Sequence, residues 1–230
     1  MKKQDRTAIE VVAQRFSARW EDRSDPSEAY LVVAGKRIAV DIATLKQSHT
    51  GQGEAAKLRL RFDKVATRLI ERLQTSVGEH VPNGVTVLLT ITAPIRLPSK
   101  TAAALEDKIQ TVLGRGSASR DDQDTIYGNR VRVRMLREKA QLAPRMIGFV
   151  HNSDSDPHLL LNITGELLEL ISVNSSKRAA RVAGDRWLVI RSGEISYLDA
   201  YRHVCSQLRM PPDLKKILVV FEDGRVEELT

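Results

Sequence analysis

The sequence predicts an α/β or α+β domain in which a mixed central β-sheet carries helices on its faces, beginning in the order α-β-β-α-β. Three observations predict it. Segments with apolar residues at helical spacing alternate with short β-branched runs along the whole chain. YLVVA and RIAVDIA flank a glycine turn as the two arms of a hairpin. VTVLLTI, without a charge, has the composition of a strand covered on both faces.

The elements follow in order. Ile9, Val12, Ala13, Phe16 and Trp20 recur at steps of three and four, which predicts a first helix between Thr7 and Trp20. A polar EDRSDPS segment leads into the hairpin. With a turn at Gly35-Lys36, Ala34 faces Arg37, Tyr30 lies opposite Asp41, and Glu28 pairs with Ala43. KLRLRFDKVATRLIERLQ places Leu58, Phe62, Val65, Leu69 and Leu73 on one stripe of a second helix. VTVLLTI follows as a central strand. SKTAAALEDKIQTVLG is a third helix, with Ser99 as its N-cap and Gly114 as its stop.

GRGSASRDDQDTIYGN reads as a loop. NRVRVRMLREK then alternates strictly, with Arg130, Arg132 and Arg134 on one solvated face. PRMIGFVH is another strand, ending in the polar loop NSDSDPH, and a helix lies within GELLELISVNSSKRAARVAG. RWLVIRS, SYLDAYRHVCSQL and KILVVFEDGRVEEL close the chain as strand, helix and a strand or hairpin turning at Asp223-Gly224.

Length and composition bound the function classes. At 230 residues, 42% of them hydrophobic, the chain is expected to form a single domain over 1–230. A formal charge of +7 admits an anionic partner such as nucleic acid, although ordinary solubilising charge accounts for the number equally well. Cys205 is alone, which excludes an intrachain disulfide and cysteine-rich zinc sites and fits a reducing cytoplasm. The first twenty residues are charged from the start, and nowhere do eighteen apolar residues follow one another. The expectation is a cytoplasmic protein without a membrane partner; a homo-oligomer or a protein partner is left open.

The acids of the hairpin carry the functional expectation. In the register above, Glu28 is diagonal to Asp41 on one face, about 7–8 Å away between backbones, and two carboxylates at that spacing reach one divalent cation. Such a pair suits phosphodiester hydrolysis through Mg²⁺ or Mn²⁺. Read alone, Asp41 could equally end a strand and Glu28 be a solvated loop acid.

SEAYLVVAGKRIAVDIA resembles the PD-(D/E)xK nuclease superfamily, whose core orders a helix, a hairpin with an acid on each strand, a second helix and a further strand. The resemblance implies a restriction-endonuclease-like core over about 7–95, with an α/β extension over about 96–230. It also implies a metal-dependent nuclease in which Glu28 and Asp41 are the metal-holding acids and Glu10 on the first helix assists. Ala43 stands where the motif carries lysine, so Lys46 or Lys64 would have to orient the attacking water. The same departure fits a rival: a catalytically inactive nuclease-fold protein that acts as a nucleic-acid-binding or protein-interaction subunit.

Two basic surfaces could hold phosphates. One is the second helix, through Arg61, Arg68 and Arg72 beside Lys57 and Lys64; the other is the face of Arg130, Arg132 and Arg134. Each could equally be a solvated face or an edge defence. His151, Asp154, Asp156 and His158 are metal-ligand types without metal-ligand spacing, and a polar turn explains them.

Overall fold

The computed structural model describes residues 2–22, 28–45, 64–115, 121–137, 144–151, 157–176, 185–192, 197–208, 210 and 214–230. Its elements are α1 (Lys3–Arg15), β1 (Arg19–Asp22), β2 (Glu28–Val33), β3 (Lys36–Thr44), α2 (Lys64–Gly78), β4 (Val85–Thr92), α3 (Pro98–Gly114) and β5 (Asp121–Ile126). β6 (Asn129–Arg137), β7 (Met146–His151), α4 (Pro157–Ser176), β8 (Arg186–Ser192), α5 (Leu198–Gln207), β9 (Leu214–Phe221) and β10 (Val226–Glu228) follow. The protein is α+β, with mixed sheets and flanking helices. The backbone divides into two compact units: Met1–Gly51 with Glu166–Ser206 and Met210–Thr230, and Gln52–Gly165 with Gln207–Arg209.

The first unit holds a six-stranded sheet in the order β1-β2-β3-β8-β9-β10. β3, β8 and β9 are parallel, and β1-β2-β3 is an antiparallel meander. Helix α1 covers one face. Its Ala8, Ile9, Val12 and Ala13 join Ala29 and Leu31 of β2, Ile38 and Val40 of β3, Trp187 and Val189 of β8, and Leu218 and Val220 of β9 in one buried cluster. These residues alternate along each strand, so period-two patterning assigns the face.

Helix α1 is shorter than its periodicity suggests. Ser17 takes a positive φ of 50°, and Trp20 then belongs to β1, where Arg6 lies 5.4 Å over its ring. A tryptophan one helical step beyond Phe16 mimics the helix pattern while packing from a strand.

The second unit holds a four-stranded sheet in the order β5-β6-β4-β7, with β4 parallel to β7 and antiparallel to β6. VTVLLTI is an interior strand, as its apolar composition implies, and α2 and α3 contribute to the core on one face through Leu69, Ile70, Leu73, Leu105 and Ile109. Val65, expected on the buried stripe, is 48% exposed, because Ala66, Leu69, Ile70, Leu73 and Val77 form the buried face. Leu58 and Phe62 lie outside the described residues. Helix α3 starts at Pro98 after Leu97 in a left-handed conformation, so Ser99 is inside the helix and does not cap it.

The DDQDTI segment, expected as a loop, is β5. Asp121 faces Arg134, Gln123 faces Arg132 and Thr125 faces Arg130, so complementary partners make a strand of residues that read as a turn by themselves. Of the elements expected in a 7–95 core, α2 and β4 fall in the second unit, and β3 takes β8 as its neighbour.

Candidate functional site

The hairpin turns one residue earlier than expected. Val33 pairs with Lys36, and Ala34 and Gly35 occupy the turn with φ of 48° and 80°. Two consecutive positive φ values define the tight turn that matches strand twist, and glycine at its second position relieves the strain. Moving the turn by one residue moves every cross-strand partner by two. Tyr30 therefore faces Ala39 instead of Asp41, and Glu28 faces Asp41 instead of Ala43. Directly opposite residues have Cα atoms about 4.5–5.5 Å apart, so the two acids are closer in register than the diagonal placement expected.

Asp41 is 5% exposed and lies on the sheet face opposite α1. Its Oδ2 accepts a hydrogen bond from Arg186 Nη2 at 2.7 Å. Arg186, at the start of β8, is itself 2% exposed and donates from the same Nη2 to the carbonyl of Asn174 near the end of α4, at 2.9 Å. Strand β8 is parallel to β3 with Arg186 opposite Ala39, so the guanidinium reaches Asp41 two residues along. A carboxylate in an apolar strand is thus explained by a buried cation beside it.

That cation bears on the expected two-carboxylate site. A full positive charge already sits on Asp41, and among the described residues no group of three or more His, Cys, Asp or Glu is placed to hold a metal. Glu10 is exposed on α1 and pairs with Arg6 Nε at 3.1 Å, on the far side of the sheet from Asp41. Lys64 belongs to the second unit, whereas Asp41 belongs to the first. Lys46 lies outside the described residues. Ala43, in the motif's lysine position, is buried.

The basic faces also sort themselves. Arg132, expected in solvent, is 6% exposed; its Nε lies 2.8 Å from Asp121 Oδ1, and its Nη2 donates to Gln123 Oε1 at 3.0 Å. Arg134 donates to Asp121 Oδ2 at 2.8 Å and to Asn162 Oδ1 at 2.8 Å. Only Arg130 of the three is exposed. The expectation of a solvated arginine face fails because β5 brings an acid against it.

On α2, Arg68 and Arg72 are exposed beside Lys64, and they line a cleft of about 220 Å³ with Val65, Leu69, Pro98, Ser99 and Ala102. Arg61 lies outside the described residues. Of the metal-ligand types in the NSDSDPH region, His151 is buried at the end of β7, with Nε2 3.3 Å from Thr92 Oγ1. His158 stands 3.4 Å from Asp121, and Asp154 and Asp156 lie outside the described residues.

Sequence reading missed a second cleft, of about 360 Å³, at the carboxyl ends of β3, β8 and β9, lined also by Gln4, Thr7 and Val11 of α1. Its cation, Arg191, is held by Asp5 Oδ1 at 3.0 Å, Thr44 Oγ1 at 3.2 Å and Gln4 Oε1 at 2.9 Å. The signal for it is topological: clefts of α/β sheets open beyond the carboxyl ends of parallel strands.

No family model, curated protein or solved structure matches the chain. No helix among the described residues is long and apolar enough to cross a membrane.

Proposed function

We propose that the protein is a catalytically inactive, nuclease-like subunit that binds nucleic acid. The observation that carries the reading is the buried Asp41–Arg186 pair, which occupies the carboxylate a metal-dependent nuclease would need free. Element order supports the nuclease-like part. Within the first unit, α1, the extra strand β1, the β2-β3 hairpin with Glu28 and Asp41, the Glu166–Ser176 half of α4 and then β8 follow one another, and β8 adjoins β3. Apart from β1, that order is similar to the helix, acid-bearing hairpin, helix and further strand of the resemblance, with Gln52–Gly165 between hairpin and helix.

Charge supports the nucleic-acid part. The second unit carries 18 Lys and Arg against 12 Asp and Glu, and the first 18 against 17. Nearly the whole positive excess thus lies in one unit, where it acts on a polyanion as a concentrated field.

A Mg²⁺- or Mn²⁺-dependent phosphodiesterase is the second reading. Glu28 directly opposite Asp41 favours it, and it requires Arg186 to release Asp41. Incubating the protein with single- and double-stranded DNA and RNA, with and without either metal, separates the two. The proposal expects binding without cleavage in every condition. Metal-dependent cleavage that disappears in Asp41→Ala and in Glu28→Gln overturns it.

A further inference from the structure

The largest exposed apolar side chains of the described residues all belong to the second unit. Val65 is 48% exposed, Leu97 55% and Tyr127 50%. Val65 lines the α2–α3 cleft together with Arg68 and Arg72, and Leu97 directly precedes Pro98 and Ser99 on its other wall. The basic and apolar features therefore form one surface.

Tyr127 is tied to this surface. The Tyr127-Gly128 turn joins β5 to β6, and a Cβ at Gly128 would come within 3.1 Å of Arg96 Nη1, so the turn lies directly on the Arg96 side chain. Asn129, 2% exposed, fastens the two segments. Its Oδ1 accepts from Arg96 N at 2.7 Å, and its Nδ2 lies 2.9 Å from each of Arg96 O, Ile126 O and Thr101 Oγ1. Leu97 and Tyr127 both hold left-handed φ values, 45° and 49°, which cost energy for non-glycine residues. A buried asparagine holds two strained residues with their apolar side chains in water.

Lys64, Arg68 and Arg72 follow at steps of four along α2, one above another on the helix surface. Glu106 accepts the Ser76 hydroxyl at 2.8 Å and stands 3.9 Å from Arg72 Nε, and Glu71 is exposed on the same helix, so the row of three cations is diluted by acid without being cancelled. Cations in a row suit phosphates. Exposed aromatic and aliphatic side chains beside them suit the faces of unstacked bases, which a duplex keeps inside its stack.

We infer that the second unit binds single-stranded nucleic acid, with phosphates held by Arg68 and Arg72 at the α2–α3 cleft and a base stacked on Tyr127. This inference rests on the nucleic-acid reading above and deepens it. The arrangement engages backbone and base faces without reading base edges, so it is sequence-tolerant.

The test is fluorescence anisotropy of the full chain with labelled single-stranded DNA, single-stranded RNA and duplex DNA over a range of salt. Wild type is expected to prefer single strands. In Arg68→Ala/Arg72→Ala, affinity falls at least about tenfold, and the slope of log K against log salt loses about 1.4, at about 0.7 per phosphate released from a single strand. Tyr127→Ala weakens binding by about tenfold or more while Tyr127→Phe keeps it, as stacking requires. Arg225→Ala, on the first unit, leaves it unchanged, and circular dichroism verifies folding of each variant. If wild type binds no nucleic acid of any kind, the reading beneath fails. If it binds but the cleft and tyrosine variants match wild type, or if duplex binds as tightly as single strands, this inference alone is overturned. The DNA and RNA arms tell the source of the strand.

Discussion

Arg186 Nη2 lies 2.7 Å from Asp41 Oδ2 across two adjacent parallel strands, with the two side chains 3% and 8% exposed. Removing one member of such a pair strands the other as an uncompensated buried charge. Arg186→Met is expected to cost about 3–5 kcal/mol in urea unfolding. Asp41→Leu combined with Arg186→Met should recover most of that loss, because an apolar pair of similar size carries no desolvation penalty. A double variant as unstable as Arg186→Met alone would show that the pair is not the source of the cost.

Gly148 sits in β7 where a Cβ would lie 2.5, 2.9 and 3.0 Å from three side-chain carbons of Ile70. Ile70 is buried in the core of the second unit, so its branched carbons have little room to move. Gly148→Ala should destabilise by about 1–3 kcal/mol through overpacking. In an Ile70→Ala background, itself costly, the same substitution should be nearly neutral, and a thermodynamic cycle on the four proteins measures the coupling.

Lys108 Nζ lies between Asp122 Oδ1 at 3.1 Å and Asp124 Oδ2 at 2.9 Å. Burial pulls the lysine down, but the hydrogen bonds and charges of Asp124 and Asp122 outweigh it and leave the ammonium raised. The Lys108 hydrogen bond, followed by the Thr125 N–H, holds the Asp124 carboxyl below its usual range. The signs fix the window. The carboxyl's contribution is complete above the unfolded value of 3.8 and fades as pH falls through its lower folded value. The lysine's is complete below 10.5 and fades as pH rises through its higher folded value. The stability difference between wild type and Lys108→Met should be flat across neutral pH and shrink at both ends. It should stay under about 1 kcal/mol, since Asp124 is half exposed and screened.

Cys205 is 2% exposed on α5, and burial pushes its thiol up to about 12. A thiol reagent at pH 8 should modify the native protein at least about a hundredfold more slowly than the urea-unfolded chain, because both the thiolate fraction and access are lost. Equal rates would place Cys205 at the surface.

Helix α3, the interior strand β4, the alternating β6 and the terminal turn at Gly224 were legible because local pattern and final burial agree there. The hairpin was legible as a hairpin, but its register was not. Gly35-Lys36 and Ala34-Gly35 are both acceptable turns locally, and a shift of one residue exchanges Ala43 for Asp41 as the partner of Glu28. β5 escaped notice for a related reason: the acids of DDQDTI make a strand only because Arg134 faces Asp121 and Lys108 of α3 pairs with Asp122 and Asp124.

By itself, the sequence determined the mixture of helices and strands, the acid on each arm of the hairpin, and a net positive charge of +7. These are properties of composition and short-range periodicity. Only the tertiary structure decided that Asp41 is held by an arginine 145 residues further along, that β3 is followed in its sheet by β8, and that Arg132 is buried. Each depends on a pairing between distant segments, where parallel strand neighbours and cross-strand charges choose one another through packing that no local spacing encodes.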